Sequence, residues 1–271
     1  MEHFKNKVLT IAGSDSGAGA GIQADLKTFA AIGVYGSSVL TAVTAQNSIG
    51  VQDVRIMDDK IINSQIDSVL SDIGASAIKT GMLANSNIIK LVSKKIKEYK
   101  IQNLIVDPVM VSESGDALLE EDAVSSYVRD IIPISVLVTP NILEAEKISK
   151  INISSEQDIE KAGKKIIDLG AKNVLIKGGH FKGNFSVDFL FRNGAKLIKF
   201  KKDRVNIQNT HGTGCTLSAA IAAYMAKGES LEFSIRKSKE FITNALKNSY
   251  SVGKGPGPVN HFFNFKNQNE L

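Results

Sequence analysis

Six consecutive residues, His211-Gly212-Thr213-Gly214-Cys215-Thr216, run directly into an alanine-rich helical stretch. Glycines let a ligand come close to the backbone, and the first N–H groups of a helix form an anion site reinforced by the helix dipole. A thiol at Cys215 would sit at that positive end, where its pKa is expected to fall and its thiolate to become a usable base. The same residues also read as a flexible turn followed by a small buried cysteine. Asp107 follows an apolar strand pattern, and Glu144 opens a helical pattern after Thr139-Pro140-Asn141. Two acids at neighbouring strand ends can hold Mg²⁺ through water beside nucleotide phosphates. Taken singly, Asp107 also suits a turn before proline, and Glu144 the first turn of a helix. Lys177 ends an apolar strand pattern, where it either reaches a phosphate or snorkels to the surface. Gln46 and Asn47 offer the paired donors and acceptors that suit the edge of a heterocycle, or a polar turn.

Other chemistries are excluded by direct reading. No Gly-x-x-x-x-Gly-Lys-[Ser/Thr] motif is present, which removes Walker-type nucleotidases. Gly17-Ala18-Gly19-Ala20-Gly21 lacks the dinucleotide spacing, and no acid follows the second strand at the right distance. Asp15, not serine, stands in the middle of Gly13 to Gly17, so there is no nucleophile elbow. The four histidines are scattered, and a single cysteine cannot build a zinc set.

These residues need a scaffold, and the hydrophobic periodicity supplies one. Val8 to Ala12, Val39 to Thr44, Ala77 to Thr80, Leu104 to Val106, Val136 to Val138 and Val174 to Ile176 read as buried strands. Between them lie helical patterns at Ile22 to Ile32, stopped by Gly33, then Ile61 to Ile73, Asn87 to Tyr99 and Ile159 to Leu169. Phe189 to Phe191 and Leu197 to Phe200, split by Asn193-Gly194, predict a hairpin. Two helices, Thr213 to Ala226 and Leu231 to Asn248, follow, and the Gly/Pro-rich tail after Gly253 is expected to cover the surface. Repeated strand–helix units predict an α/β fold, with a mostly parallel sheet and helices on both faces. In such sheets ligands bind beyond the carboxyl ends of the strands. Six strand exits should therefore converge on one rim: Gly13-Ser14-Asp15, Thr44 to Asn47, Gly81-Met82, Asp107-Pro108-Val109, Thr139-Pro140-Asn141 and Lys177 to His180.

Composition narrows the class further. The 271 residues are 43% hydrophobic and 23% charged, as in globular proteins rather than disordered or fibrous chains. The net charge of +5 is dispersed, with Lys94, Lys95, Lys97 and Lys100 on one helix and Lys199, Lys201 and Lys202 near a loop. With no tryptophan and only 6% aromatic residues there is no stacking platform, so nucleic acid is not the expected partner. No apolar run approaches the roughly 20 residues of a membrane span, and the first strand is too short for a signal core. One cysteine fits a reducing compartment, so a cytoplasmic location is expected.

The segment Val8 to Lys27, with its Gly-Ser-Asp-Ser-Gly-Ala-Gly-Ala-Gly run, closely resembles the opening of bacterial hydroxymethylpyrimidine/phosphomethylpyrimidine kinases. These are thiamine-pathway members of the ribokinase-like superfamily. Val43 to Asn47, Ile78 to Leu83, Val106 to Met110, Thr139 to Asn141 with Glu144 and Glu146, and His211 to Ser218 resemble the same family in order and spacing. The match runs from about Val8 to His261. It implies a single ribokinase-like domain over 1–271, a three-layer sandwich around a mostly parallel sheet. The implied activity is ATP-dependent phosphorylation of 4-amino-5-hydroxymethyl-2-methylpyrimidine, then of its monophosphate to the diphosphate used in thiamine biosynthesis. By the resemblance, Gly13, Asp25, Gln46, Met82 and Val109 bind the pyrimidine. Asn141, Lys177 and Thr213 contact the nucleotide. Asp107 and Glu144 are the Mg²⁺-linked acids. Gly212 to Cys215, including Gly214, form the anion hole, with Cys215 where most of the superfamily carries a catalytic aspartate. A homodimer is implied too. This sequence departs from the family in Ile142-Leu143, where Leu-Pro is frequent, and in its lysine-rich Lys199 to Arg204.

Two rival readings have distinct signatures. A pyridoxal kinase uses the same scaffold, but Gln46 can accept from an exocyclic amine and donate to a ring nitrogen, which favours an aminopyrimidine. A non-catalytic regulator would have no need of the Gly-Thr-Gly-Cys stretch together with both acids.

Overall fold

The strands are β1 (Lys7–Asp15), β2 (Tyr35–Gln46), β3 (Val51–Ile56), β4 (Ala77–Thr80), β5 (Leu104–Val106), β6 (Leu137–Val138), β7 (Asn173–Lys177), β8 (Phe185–Arg192) and β9 (Ile198–Asp203). The helices are α1 (Gly21–Ile32), α2 (Asp59–Ser68), α3 (Ser86–Glu98), α4 (Ala123–Ser126), α5 (Ile142–Ser149), α6 (Glu156–Asp168), α7 (Thr213–Ala226) and α8 (Leu231–Lys247). They come from a computed structural model that describes residues 5–110, 118, 123–179 and 183–265. All nine strands join one sheet in the order β3-β2-β1-β4-β5-β6-β7-β8-β9. The pairings from β2 through β7 are parallel, while β3 and the β8–β9 hairpin are antiparallel additions at the two edges.

Strand residues alternate between two apolar layers because successive side chains point to opposite faces. Leu9, Ile11, Ile78, Val106 and Ile176 pack with Ile62, Ile88, Val92, Ala145 and Ile166 on one face. Val8, Ala77, Ile105, Leu137 and Leu175 pack with Phe29, Ala219 to Ala223, Ile235 and Ile242 on the other. The run Ala219 to Ala223 is buried throughout, since α7 is wedged between the sheet, α1 and α8 and only small side chains permit so close an approach. Helix α1 stops where the sequence says it should. Gly33 takes a left-handed conformation (φ 78°), and its N–H donates to the Ala30 carbonyl.

Three local expectations are corrected. The exposed edge strand β3 was not foreseen, because Gln52-Asp53 interrupts its alternation where the register to β2 slips at Ala45/Gln46. The helix predicted to Ile73 ends in its α form at Ser68 and continues as a wide π turn over Val69–Ile73. The tail does more than cover the surface. Val259 is fully buried, Pro258 bridges to His211, and the His261 ring is 3% exposed with Nε2 2.9 Å from Thr216 Oγ1.

The buried imidazole makes the tail sensitive to acid. Burial, with a smaller push from Lys27, lowers the His261 pKa to about 4 from 6.5. Below pH 6.5 the unfolded chain takes up a proton that the folded one refuses, so stability rises with pH between about 4 and 6.5 and is lost as pH falls through that window. The change is expected to total about 3 kcal/mol. Urea denaturation across that range should show it, and His261→Gln should remove this component of the slope. An equal slope in the variant would contradict the assignment.

Candidate active site

At the carboxyl edge of the parallel strands lies a cleft of about 720 Å³. Every strand exit singled out in the sequence contributes to it: Gly13 to Asp15, Thr44 and Gln46, Gly81-Met82, Asp107 and Val109, Asn141, and Lys177 with Gly179. Thr210 to Cys215 complete its wall. Asn47 does not join them. Its Oδ1 accepts from the Ile49 and Gly50 N–H groups in the β2–β3 turn, so it is a turn former. His180 falls outside the described residues. A second depression of about 630 Å³, around Gly170, Asn173 and Arg192, has no acid, hydroxyl or thiol in its lining.

The start of α7 is positioned from α1's approach loop. The Asp15 carboxylate accepts the N–H groups of Gly17 (2.8 Å), Gly19 (3.0 Å) and Ala20 (2.8 Å), and lies 2.9 Å from His211 Nε2. Burial pushes the Asp15 carboxyl up, but these bonds and His211 outweigh it and hold the group below its usual range. The glycine run thus wraps the protein's own carboxylate, which explains why it carries no dinucleotide spacing. A Cβ at Gly19 would collide with the His211 ring, and one at Gly212 (φ 81°) with the Gly19 carbonyl. Two glycines therefore let this loop and the mouth of α7 interlock. Beyond them the N–H groups of Gly214 and Cys215 have no carbonyl partner within the helix.

Next to that mouth, Lys177 Nζ lies 2.8 Å from Asp107 Oδ1 and 3.9 Å from Glu144 Oε2. A Cβ on Gly214 would come within 3.4 Å of the same ammonium, so the cation abuts the helix N-terminus. Ser218 on α7 donates to Asp107 Oδ2 (3.0 Å). Asn141 and Glu144 form a reciprocal capping box on α5, the Asn141 N–H donating to Glu144 Oε2 at 2.7 Å. Burial pushes the Glu144 carboxyl up to about 7, opposed by Lys177 and assisted by Asp107. Burial also acts on Asp107, but Lys177 and Lys79 overcome it and keep its carboxyl low. Lys177 in turn keeps its proton: burial works against its charge, and Asp107 with Glu144 more than restores it.

The Cys215 expectation is corrected in sign. Cys215 is a half-buried residue; Lys79 and the Gly21 backbone N–H favour its thiolate, yet burial dominates and pushes the thiol up to about 11. At neutral pH it therefore carries its proton.

Asp25 is not among the residues that line the cleft. It is fully buried behind the wall, where both of its oxygens meet Lys79 Nζ (2.9 and 3.1 Å) and Thr10 Oγ1 donates at 2.6 Å. Gln46 is half-buried at the rim. Its backbone is tied to Ser16, and its Oε1 accepts from Thr44 at 3.2 Å. Met82 closes over Gly13, where a Cβ would stand 3.1 Å from its sulfur.

Sequence reasoning missed the far lobe, formed by Leu217, Val205, Ile242 and Leu246 with Asp188, Lys239 and Arg204. Asp188 is ion-paired to Lys239 at 2.7 Å, and Arg204 donates to the carbonyls of Gly179, Gly183 and Phe185. A charge inside each of the patterns Phe-Ser-Val-Asp-Phe-Leu and Ser-Ile-Arg-Lys-Ser-Lys was the available signal. The cleft is therefore walled by polar groups from β1, β2 and β4, by a mixed lobe from β8, β9 and α8 in which apolar side chains neighbour the Asp188–Lys239 pair, and by the anion-seeking mouth of α7.

Residues 15–260 match the family model described as phosphomethylpyrimidine kinase. The chain is 44% identical over 257 residues to the hydroxymethylpyrimidine/phosphomethylpyrimidine kinase of Bacillus subtilis, covering 94% of each chain. It is 47% identical to the thiamine biosynthesis bifunctional protein ThiED of Geobacter sulfurreducens over 95% of its own length, and spans about half of that longer protein (52%). Among solved structures, the ADP complex of Bacillus subtilis pyridoxal kinase matches with a TM-score of 0.90 at 39% identity, covering 97% of this chain and all of that one. Phosphomethylpyrimidine kinase from Clostridium difficile matches with a TM-score of 0.79 at 44% identity, covering 89% of this chain and all of that one.

Proposed function

The chain belongs to the phosphomethylpyrimidine kinase family, and we propose on that footing that it moves the γ-phosphoryl group of ATP onto 4-amino-5-hydroxymethyl-2-methylpyrimidine. A second transfer onto the monophosphate gives the diphosphate used in thiamine biosynthesis. The observation that carries this reading is the cleft itself, whose walls bring a helix N-terminus and a paired lysine together with the Gln46 side and the side of Leu217, Ile242 and Leu246.

In this reading Gln46, Gly13, Met82 and Val109 hold the pyrimidine, with Gln46 reading the amine edge. Asp25 supports that pocket from behind through Lys79. The nucleotide base occupies the far lobe, and its phosphates run past Asn141, Lys177 and Thr213 to the mouth of α7. Phosphoryl transfer depends chiefly on alignment and charge stabilisation. The N–H groups at Gly212, Gly214 and Cys215, the helix dipole and the Lys177 ammonium all point to where charge gathers on the moving group. Cys215, as thiolate, accepts the hydroxyl proton and returns to the thiol.

Among the described residues no three acidic, histidine or cysteine side chains are grouped to ligate a metal directly. The oxygens of Asp107 and Glu144 are already engaged by Lys177, Ser218 and the Asn141 N–H, which fits a hold on Mg²⁺ through water. Asp107 and Glu144 would hold the ion through water, and when bound it would screen the charge of the triphosphate. The same reading takes the whole chain, 1–271, as one kinase domain that works as a homodimer in the cytoplasm. Among the described residues no helix is long and apolar enough to cross a membrane.

A second reading is favoured by one observation, the TM-score of 0.90 to a pyridoxal kinase. Steady-state turnover on both alcohols separates the two. The aminopyrimidine should be preferred by roughly 10²-fold or more in kcat/KM, as a site built to hydrogen-bond an amine penalises a ring without one. Preference for pyridoxal would overturn the assignment.

A further inference from the structure

We infer that Lys79, clamped by Asp25 behind the cleft wall, is the counter-charge for the Cys215 thiolate, a positioning residue through which this sulfur becomes able to accept a proton. The inference rests on the reading of Cys215 as the base, and it names what that reading lacks.

Lys79 is an anomaly in its strand. It stands in Ala-Ile-Lys-Thr, where all four residues are buried, and its side chain has no exposure. A buried ammonium is costly unless paired, and a well-packed apolar pair of similar volume would stabilise the fold as well or better. The Asp25 partner, equally buried, faces inward from α1. Lys79 is among the residues that line the cleft together with Cys215, and Asp25 is not. Gly81 keeps that position open, since a Cβ there would come within 3.0 Å of Lys79 Nζ.

Four charged groups act on the sulfur: Lys79 from β4, Asp25 from α1, Asp107 from the end of β5, and Lys177 from β7. Lys177 is already committed to Asp107 and Glu144. Lys79 draws the thiol towards ionisation more strongly than Asp25 or Asp107 opposes it. With the Gly21 N–H, it is what works against the burial that keeps this thiol protonated. In the transfer step the alcohol oxygen bonds to the γ-phosphorus as the bond to the β-phosphate oxygen breaks and ADP leaves, and the alcohol proton passes to the thiolate. The resulting thiol later releases that proton to solvent, and Lys79 keeps its own throughout.

Cys215 is the only cysteine in the chain, so its ionisation can be read without turnover. Alkylation by iodoacetamide at pH 8, followed by intact mass, should proceed about tenfold more slowly in Lys79→Met than in the wild type, the consequence of about one pH unit less thiolate. The double variant Lys79→Met/Asp25→Asn leaves no buried charge unpaired and guards against misfolding of the single one. It should still react more slowly than wild type, though less so than the single variant, because the charge that opposes the thiolate is removed with the one that favours it. Lys79→Arg, which disturbs the packing but keeps the charge, should stay near the wild-type rate. A double variant that reacts as fast as wild type, or an arginine variant slowed as much as the methionine one, overturns the inference. Turnover then separates it from its premise. Slower alkylation with an unaltered pH profile of kcat would leave Lys79 in its role and remove Cys215 as the base.

Discussion

Cys215→Ala is expected to lower kcat by roughly 10²–10⁴, the range associated with losing a general base, while KM for both substrates stays close to its wild-type value. The sulfur lies at the mouth of α7, and among the described residues no side-chain hydrogen bond ties it to the Gln46 pocket or to the far lobe. Removing it therefore subtracts an interaction made in the transition state rather than one shared by ground and transition states. The wild-type pH profile should carry a matching signature. Because the free thiol is pushed up to about 11, the thiolate fraction grows about tenfold per pH unit below that value. A limb of kcat/KM rising with pH should appear up to the limit of stability and vanish in the alanine variant. Steady-state rates from pH 6 upward, with calorimetric binding of the pyrimidine, provide the check. An unchanged kcat in the variant would move the base elsewhere.

Lys177→Met is expected to cost a further large factor, roughly 10²–10³ in kcat, as for the loss of one preorganised group that stabilises transition-state charge. It should also raise KM for ATP. The ammonium touches Asp107, neighbours Glu144 and abuts Gly214 at the start of α7. Among the described residues no other cation is ion-paired to either acid. Without it two buried carboxylates face each other, and Glu144, already raised to about 7, takes a proton first. The fold can relieve the loss in that way, so the defect should appear in turnover and nucleotide affinity more than in the melting temperature. If kcat and KM for ATP are both unaltered, Lys177 is only a structural partner of Asp107.

Much of the scaffold was legible because burial imposes period on sequence. Two-faced strands such as Leu104-Ile105-Val106 read as continuous apolar runs, and α7 announces its wedged position through its alanines. The edge strand β3 was not legible, since both its faces meet water and its alternation is interrupted by Gln52-Asp53. Lys79 and Asp25 were visible as opposite charges inside apolar patterns, but nothing local says that they meet. Their separation of 54 residues is closed only by α1 packing back over β4's neighbour, β1. The far lobe was invisible for the same reason, because Asp188 and Lys239 are brought together by β8 and α8.

By itself the chain determined the α/β order, the rim on which six strand exits meet and the helix mouth at Gly212 to Cys215, because periodicity, glycine and capping act within a few residues of one another. Tertiary structure alone decided whether the thiol holds its proton, that Asp25 stands behind the wall rather than in the pocket, and that the glycine loop encloses Asp15. Each of those depends on desolvation and on charges that reach across the fold, and local sequence carries no measure of either.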